Sequence, residues 1–365
     1  IVMFIGIYGA DFIGYLLVQF GLLSPDSKSP VSGIFVAILL GICIRNIIGL
    51  KQIFNDGISF SMKYVLRAGI VLLGLRLSLL EALKLGALGI PLIVICITAG
   101  LFITLYLTNK LKQSNRLGTL IAGGTGICGV TAIMALSPVI KAKGDEISYA
   151  VANITIFGLT GMILYPFLAQ WLFAGDPVKI GMFLGTAIHD TAQVTGAALI
   201  FDQVFDMKKV VDVATVTKLT RNLFIIAIIP VISYLYYKKI TEENAKLEQD
   251  EASPLPKWYT FIPLFVIGFL FLALLRTIGD MTIANFGSAF GLLKASFWEL
   301  IYTSGSSFGT KYLLGMAMAG VGLSTDFRKF KGIGIKPFYI GFIAALSVGI
   351  VSVAMISLFG RFITI

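Results

Sequence analysis

The sequence predicts an all-α membrane protein of about 10–11 transmembrane helices, with inverted repeats and interrupted, crossed helices. Three observations carry that prediction. Of 365 residues, 57% are apolar and only 13% charged, about half the ~25% charge of an ordinary soluble domain. The mean hydropathy is +0.92. The apolar residues also gather into runs of the ~20 residues that a helix needs to cross a bilayer. Such a chain lacks the charged surface of a soluble enzyme, the cysteine density of a secreted scaffold and the polarity of a disordered protein. The runs are too long for barrel strands and do not alternate, so helices carry the crossings.

Taken in order, the predicted spans are 2–23, 31–50, 62–80, 86–107, 117–140, 147–173, 180–201, 209–237, 258–278, 297–324 and 337–363. Asp11 lies in the first, and Arg67 and Arg76 (in GLRLS) in the third. The fifth and seventh are the least regular, being rich in Gly and polar residues. Asn153 and Thr155 are polar points in the sixth. The charged stretch 238–257, KKITEENAKLEQDEASPLPK, ends with Pro254 and Pro256 and reads as a cytoplasmic linker. It separates residues 1–237, with eight helices including the Gly-rich interrupted segments, from the C-terminal helices of 258–365.

The net charge of +10 comes from 29 basic and 19 acidic residues. The basic residues sit in short loops, so they read as topology signals and no nucleic-acid partner is expected. Lys110, Lys112 and Arg116 occupy 108–116 without an acid; Arg328, Lys329, Lys331 and Lys336 face only Asp326 in 325–336. Both loops follow even-numbered spans. One topology therefore puts both in the cytoplasm, with the N-terminal end of the chain inside and its C-terminal end outside. Cys43, Cys96 and Cys128 all lie in apolar segments, without the spacing of a disulfide or a zinc site.

Two stretches resemble one another. KYVLRAGIVLLGLRLS from Lys63 and KYLLGMAMAGVGLS from Lys311 both open with Lys-Tyr and carry Gly-x-x-Leu-Ser. An odd number of predicted crossings separates them, so they would be inverted in the membrane, as in secondary transporters.

Three segments carry candidate chemistry. In 118–138, GTLIAGGTGICGVTAIMALSP, the residues Gly123, Gly124, Gly126 and Gly129 surround Thr125 and Cys128. Gly costs ~1 kcal/mol per residue in a helix relative to Ala, so a broken helix is favoured here over tight small-residue packing. A break exposes amides and a half-helix N-terminus, which attract anions. The segment 181–199, GMFLGTAIHDTAQVTGAAL, holds the sole histidine, His189, beside Asp190, with Gln193 one turn on from His189. Ionisable groups in a span are expensive and point to function. Gly124-Thr125-x-Ile127 aligns with Gly185-Thr186-x-Ile188, so two discontinuous segments would face each other. Lastly, Lys218 and Arg221 in VATVTKLTRNLF share a helix face, either snorkelling at a helix end or lining an anion path.

These motifs, GTGICGVTAIMALSPVI, AxxHDTAQV, KLTRN and GLRLSL, resemble the YeiH-like family of bacterial inner-membrane proteins, whose members carry a sulfate-exporter label. The resemblance covers nearly the whole chain. It implies a multi-span transporter, distantly related to sodium/proton antiporters and bile-acid-type symporters, with two inverted repeats and crossed, interrupted helices. Homodimers are plausible by the same analogy.

The expectation is a secondary active transporter of a small anion, sulfate or an organosulfonate, in the bacterial plasma membrane. Gly124, Thr125, Gly126, Cys128 and Gly129 would bind the anion from one segment and His189 and Gln193 from the other. Lys218 and Arg221 would supply positive potential, and Asp190 or His189 would carry a coupling proton or sodium ion. A cation antiporter with Asp190 as the exchanging carboxylate, and an anion channel, are the alternatives. No phosphate-binding loop or HExxH metal motif occurs, so no enzyme, cofactor or metal centre is expected.

Overall fold

The computed structural model describes residues 1–19, 32–243, 264–330 and 335–360. It is helical apart from a two-residue antiparallel β-pair, Ser288–Ala289 with Leu293–Lys294. Helix α1 (Val2–Gln19) packs on α2 (Gly33–Cys43), which continues as a π turn to Ile48. The stretch Gln52–Arg76 contains α3 (Asn55–Phe60), a π turn (Ser61–Val65) and α4 (Leu66–Leu73). There follow α5 (Leu79–Lys110), α6 (Asn115–Gly126), α7 (Val130–Val139), α8 (Gly144–Phe173), α9 (Pro177–Ala187), α10 (Thr191–Phe205), α11 (Lys208–Leu223) and α12 (Ile225–Glu243). After the interval that holds most of the predicted linker come α13 (Leu264–Phe286), α14 (Ala295–Phe308), a π turn (Gly309–Leu314), α15 (Gly315–Ser324) and α16 (Ile335–Phe359). The predicted linker begins inside α12; its residues beyond Glu243, Pro254 and Pro256 among them, lie outside the described residues, as does Lys331.

Among the described residues, five stretches are long and apolar enough to cross a membrane: Gln52–Arg76, α5, α8, α13 and α16. Helices α11 and α12, bent by 44°, make a sixth when taken as one span. Pro230 in α12 lacks the N–H that would bind the carbonyl four residues back, which accounts for weakened helix near the bend. The all-α membrane fold is as expected, but two of the predicted spans, 117–140 and 180–201, are not continuous helices.

Residues 117–140 do not cross. Helix α6 has 12 residues, about 18 Å of helix, well short of the ~30 Å hydrocarbon core. The chain then returns to the end it came from. Ser114 Oγ, just before α6, donates to Glu146 Oε1 in the first turn of α8 at 2.6 Å. A side chain at Gly123 of α6 would strike Leu136 of α7. Residues 115–139 are thus a helical hairpin entering from the Lys110 end of the bundle. Residues 177–205 form a second hairpin from the opposite end. Its base joins Gly175 to Met207, and Arg76 Nη2 donates to the Lys208 carbonyl at 2.9 Å. The base of each arm is set by sequence. Ser78 and Glu81 form a capping box at the start of α5, Asp176 caps α9 with Pro177 in its first turn, and Gly175 (φ +80°) follows the left-handed Ala174 that ends α8.

The remaining helices pack closely through small residues. Gly41 of α2 meets the backbone at Gly322 of α15, and Gly69 of α4 meets Leu314. At the far side of this layer Asn46 Nδ2 donates to the Thr325 carbonyl (2.8 Å), the Phe327 amide donates to Asn46 Oδ1 (2.7 Å) and Arg45 pairs with Asp326 at 3.4 Å. The turn Phe327–Phe330 touches α8. The two basic loops that the charge pattern singled out therefore gather at the Lys110 end.

Single cysteines at Ser114 and Lys143, in a background without Cys43, Cys96 and Cys128, should both react with an impermeant maleimide from one face of the membrane. Cysteines at Ala174 and Asp206 should react from the other. Labelling of Ser114→Cys and Lys143→Cys from opposite faces would overturn the hairpin assignment.

Candidate functional site

The two hairpins meet tip to tip. The first tip is Ile127-Cys128-Gly129, between α6 and α7; the second is Ile188-His189-Asp190, between α9 and α10. Gly129 has φ +67° and ψ −128°, a conformation closed to other residues at low cost, and a methyl group there would lie 3.0 Å from Asp190 Oδ2. That glycine is required twice over, by its backbone and by the facing tip. Gly124 and Gly126 have a different role. They let α6 approach Ile154 of α8 and Leu101 of α5, which is the small-residue packing that the sequence left as an alternative.

Four half-helix ends converge here. Helices α6 and α9 point their C-terminal carbonyls at the junction, and α7 and α10 point their N-terminal amides. Unpaired, these groups carry partial charges of roughly −0.5 and +0.5 each, in a setting where water cannot satisfy them. Three side chains do so instead. Arg221 Nη2 donates to the Thr125 carbonyl (2.7 Å) and the Gly126 carbonyl (3.0 Å), Nε to the Gly126 carbonyl (3.2 Å) and Nη1 to the Thr186 carbonyl (2.5 Å). Lys218 Nζ donates to the carbonyls of Ile188 (3.1 Å), Ile127 (3.4 Å) and His189. Asp190 serves the positive ends. Its Oδ1 accepts from the Ala192 amide at 2.9 Å, and the carboxylate also bonds the backbones of Gln193 and Val130. One carboxylate thus caps a helix in each hairpin. Cys128 bonds the backbone of Ala132 in α7.

Of the residues that the sequence nominated, the structure brings together Thr125, Gly126, Cys128 and Gly129 from the first hairpin, His189 and Asp190 from the second, and Lys218 and Arg221 from α11, while Gly124 and the Gln193 side chain pack toward α8. Arg221 and Thr125 are fully buried, and Lys218 and His189 are 1% exposed. Lys218 and Arg221 do not snorkel to a helix end; α11 is held against α9 where Gly181 faces Val213 and Gly185 faces Thr217, and this sets both cations under the tips. Their donors go chiefly to carbonyls of the half-helices. His189 bonds the Thr125 backbone, while its Nδ1, with Thr125 Oγ1, Gln193 Oε1 and Asn222 Oδ1, is buried without a partner. Gln193 Nε2 donates to the Thr155 carbonyl (3.3 Å) and Asn222 Nδ2 to Thr191 Oγ1 (3.1 Å).

Sequence reasoning missed Ser352. This hydroxyl in α16 lies 2.7 Å from Thr186 Oγ1, beside the second tip. Its only signal was a polar residue within a long apolar run.

Two cavities open at opposite ends of the bundle. One, of about 860 Å³, lies at the Arg76 end between Asp11, Asp202, Lys208, Arg276 and Ser306. Here Arg76 Nε pairs with Asp212 at 3.0 Å. The other, of about 430 Å³, lies at the Lys110 end between α5, α6 and α12. No residue of 124–129 or 186–193 lines either cavity.

A bundle of long apolar helices enclosing two opposed re-entrant hairpins defines a multi-pass membrane protein. The chain belongs to the family described as Conserved hypothetical protein 698, which it matches over residues 12–341. It is similar to a UPF0324 membrane protein of Streptococcus agalactiae serotype V, 32% identical over 340 residues that cover 93% of this chain and 92% of the relative. A UPF0324 membrane protein of Fusobacterium nucleatum is 30% identical over 351 residues, 94% of each chain, and one of Bacillus anthracis 31% identical over 329, 89% and 86%.

Gly129→Ala should lower stability by about 1–3 kcal/mol through backbone strain alone, and more from its clash with Asp190. Arg221→Ala, which strips the carbonyls of Thr125, Gly126 and Thr186, should cost about 3–5 kcal/mol, with Arg221→Lys in between. Thermal unfolding in detergent checks the order; an Arg221→Ala protein as stable as wild type would remove the capping role.

Proposed function

We propose that this protein is a secondary active transporter that carries a small anion by alternating access, with the hairpin tips as the barrier and Asp190 as the proton-coupling group. The observation that carries the reading is the pair of opposed hairpins whose tips meet over a buried charge set. Lys218 and Arg221 against Asp190 leave one positive charge in excess, while the four helix ends cancel in sign. A low-dielectric junction with that balance favours an anion over a cation.

The coupling follows from competition for the same amides. Asp190, ionised, occupies the amides of Val130, Ala192 and Gln193. Protonated, it holds them weakly, and both cations lose their neighbouring negative charge. An oxyanion then suits the vacated amides, with the tip residues Gly129, His189 and Gln193 around it. Proton and anion therefore bind together and travel in the same direction. A cation antiporter would need the Asp190 oxygens for its ion, and they are committed to amides with two cations behind them. An open channel would need a continuous path, which the tips interrupt. The chain acts in this reading as a carrier and not as an enzyme.

Repetition supports the reading. Helices α5, α6 and α7 and helices α8, α9 and α10 have the same order, a long helix followed by a hairpin, and start from opposite ends of the bundle. The Gly-Thr-x-Ile tips align at one offset. The outer pair from Lys63 and Lys311 also runs antiparallel, each stretch beginning at a π turn. We read both as inverted repeats. The substrate class, sulfate or an organosulfonate, and the bacterial plasma membrane as its location rest on the resemblance to the YeiH-like proteins, as does kinship with the sodium/proton antiporters and bile-acid-type symporters.

In proteoliposomes an acid-outside gradient should drive saturable uptake of radiolabelled sulfate, and unlabelled sulfate inside should give counterflow. Asp190→Asn should keep counterflow within a few-fold and lose the pH-driven component. No flux of sulfate or a small alkylsulfonate from folded protein, or an equal pH response in the variant, would overturn the assignment.

A further inference from the structure

We infer that Arg276 is an outer recognition residue, whose guanidinium fork receives the oxyanion in the cavity at the Arg76 end before the anion reaches the tips. The inference rests on the anion-carrier reading and adds the place where selection begins. With the basic loops at the cytoplasmic Lys110 end, this cavity of about 860 Å³ opens outward. Arg276 stands near the middle of α13. An arginine in so apolar a helix is costly unless it is paired or faces a water-filled space. Arg276 has both. Its Nε donates to Asp280 Oδ2 at 2.6 Å, and the guanidinium lies 3.2 Å from the centroid of the Tyr302 ring. Trp298 Nε1 donates to the other carboxylate oxygen of Asp280 at 3.2 Å. Gly279 makes room for that ring, since a side chain there would strike it at 2.6 Å. One face and one edge of the guanidinium are thus fixed from α13 and α14.

What the clamp leaves over is the Nη edge. Only the Nε–H is bonded; among the described residues neither Nη has a partner, and Arg276 lines the cavity. The other central cations are spent. Arg221 and Lys218 serve half-helix carbonyls, and Arg76 serves Asp212 and the Lys208 carbonyl. A planar fork with free donors side by side matches two oxygens of a sulfate or sulfonate group. Because the fork is already held, binding orders little that was free before. Ser307 of α14 lines the same cavity with a hydroxyl that is exposed and has no partner among the described residues. Carboxylates line the walls too. Asp212 is taken by Arg76, and Asp202 and Asp206 have partners of their own. Asp11 lies on α1, which packs on α2 and α15. Lys208 and Lys311 line the cavity without an ion pair among the described residues, and together they outnumber it.

Trp298 reports on the site, because its ring N–H bonds the carboxylate that clamps Arg276. In neutral detergent, after Trp171→Phe and Trp258→Phe remove the other two tryptophans, sulfate and methanesulfonate should change its emission saturably. Chloride at equal ionic strength should not. Arg276→Gln should raise the concentration for half effect about tenfold, the weight of one charge-assisted hydrogen bond. Arg276→Lys, which keeps the charge and loses the fork, should fall between, and it carries the reading if Arg276→Gln fails to fold. Lys51→Gln, an exposed cation at the other end of the bundle, should change nothing. In proteoliposomes, sulfate offered at the Arg76 face should show the same shift in half-saturating concentration. Saturable binding that needs Arg276, without any flux, would keep the site and overturn the carrier reading. Flux with no Trp298 response, or with binding and half-saturation unshifted in the Arg276 variants, would overturn the site and leave the carrier. A chloride response equal to that of sulfate would overturn the site as well.

Discussion

Everything around the junction depends on cancelling the ends of four half-helices where no water reaches. A helix that stops inside a membrane exposes amides or carbonyls that must find partners or not be there at all. Two cations on one helix take the carbonyl ends, and one carboxylate takes the amide ends. Each charge is costly to bury alone, and each end is costly to leave bare. Together they are mutually required, which accounts for ionic groups in so apolar a chain.

That requirement reaches outward into choices that look unrelated. Helix α11 must lie close to α9 for its cations to reach, so α9 carries Gly181 and Gly185 at the contact. The tip of the first hairpin must turn within three residues and face a carboxylate, so it has glycine at 129. Thr186 must be steadied beside the second tip, and α16 supplies Ser352 from the other side.

Much of this was legible in the sequence. Hydropathy and charge identified a helical membrane protein, and the glycine density and the His-Asp pair located both breaks. The turning back of two segments was not legible. Residues 117–140 and 180–201 are long enough for spans, and although Gly and polar residues mark them as irregular, composition does not distinguish a broken helix that continues from one that turns back. Because both errors concern hairpins, one from each end, they cancel in parity, and the two basic loops still fall together. The partners of Lys218 and Arg221 were also beyond reach. Spacing shows that two cations share a face, but only the fold shows that they meet backbone carbonyls. Ser352 carried too little signal to stand out from its run.

The order of synthesis gives the capping arrangement a further meaning. The first hairpin leaves the ribosome well before Asp190, Lys218 and Arg221 do, so its tip is made without any of its charged partners. Settling at its final depth then would leave the Thr125 and Gly126 carbonyls bare in lipid. It must therefore wait near the membrane surface, or be shielded, until the second hairpin and α11 arrive. Biogenesis of this protein is thus expected to end with a late, concerted docking step, in which residues far apart in the chain go in together.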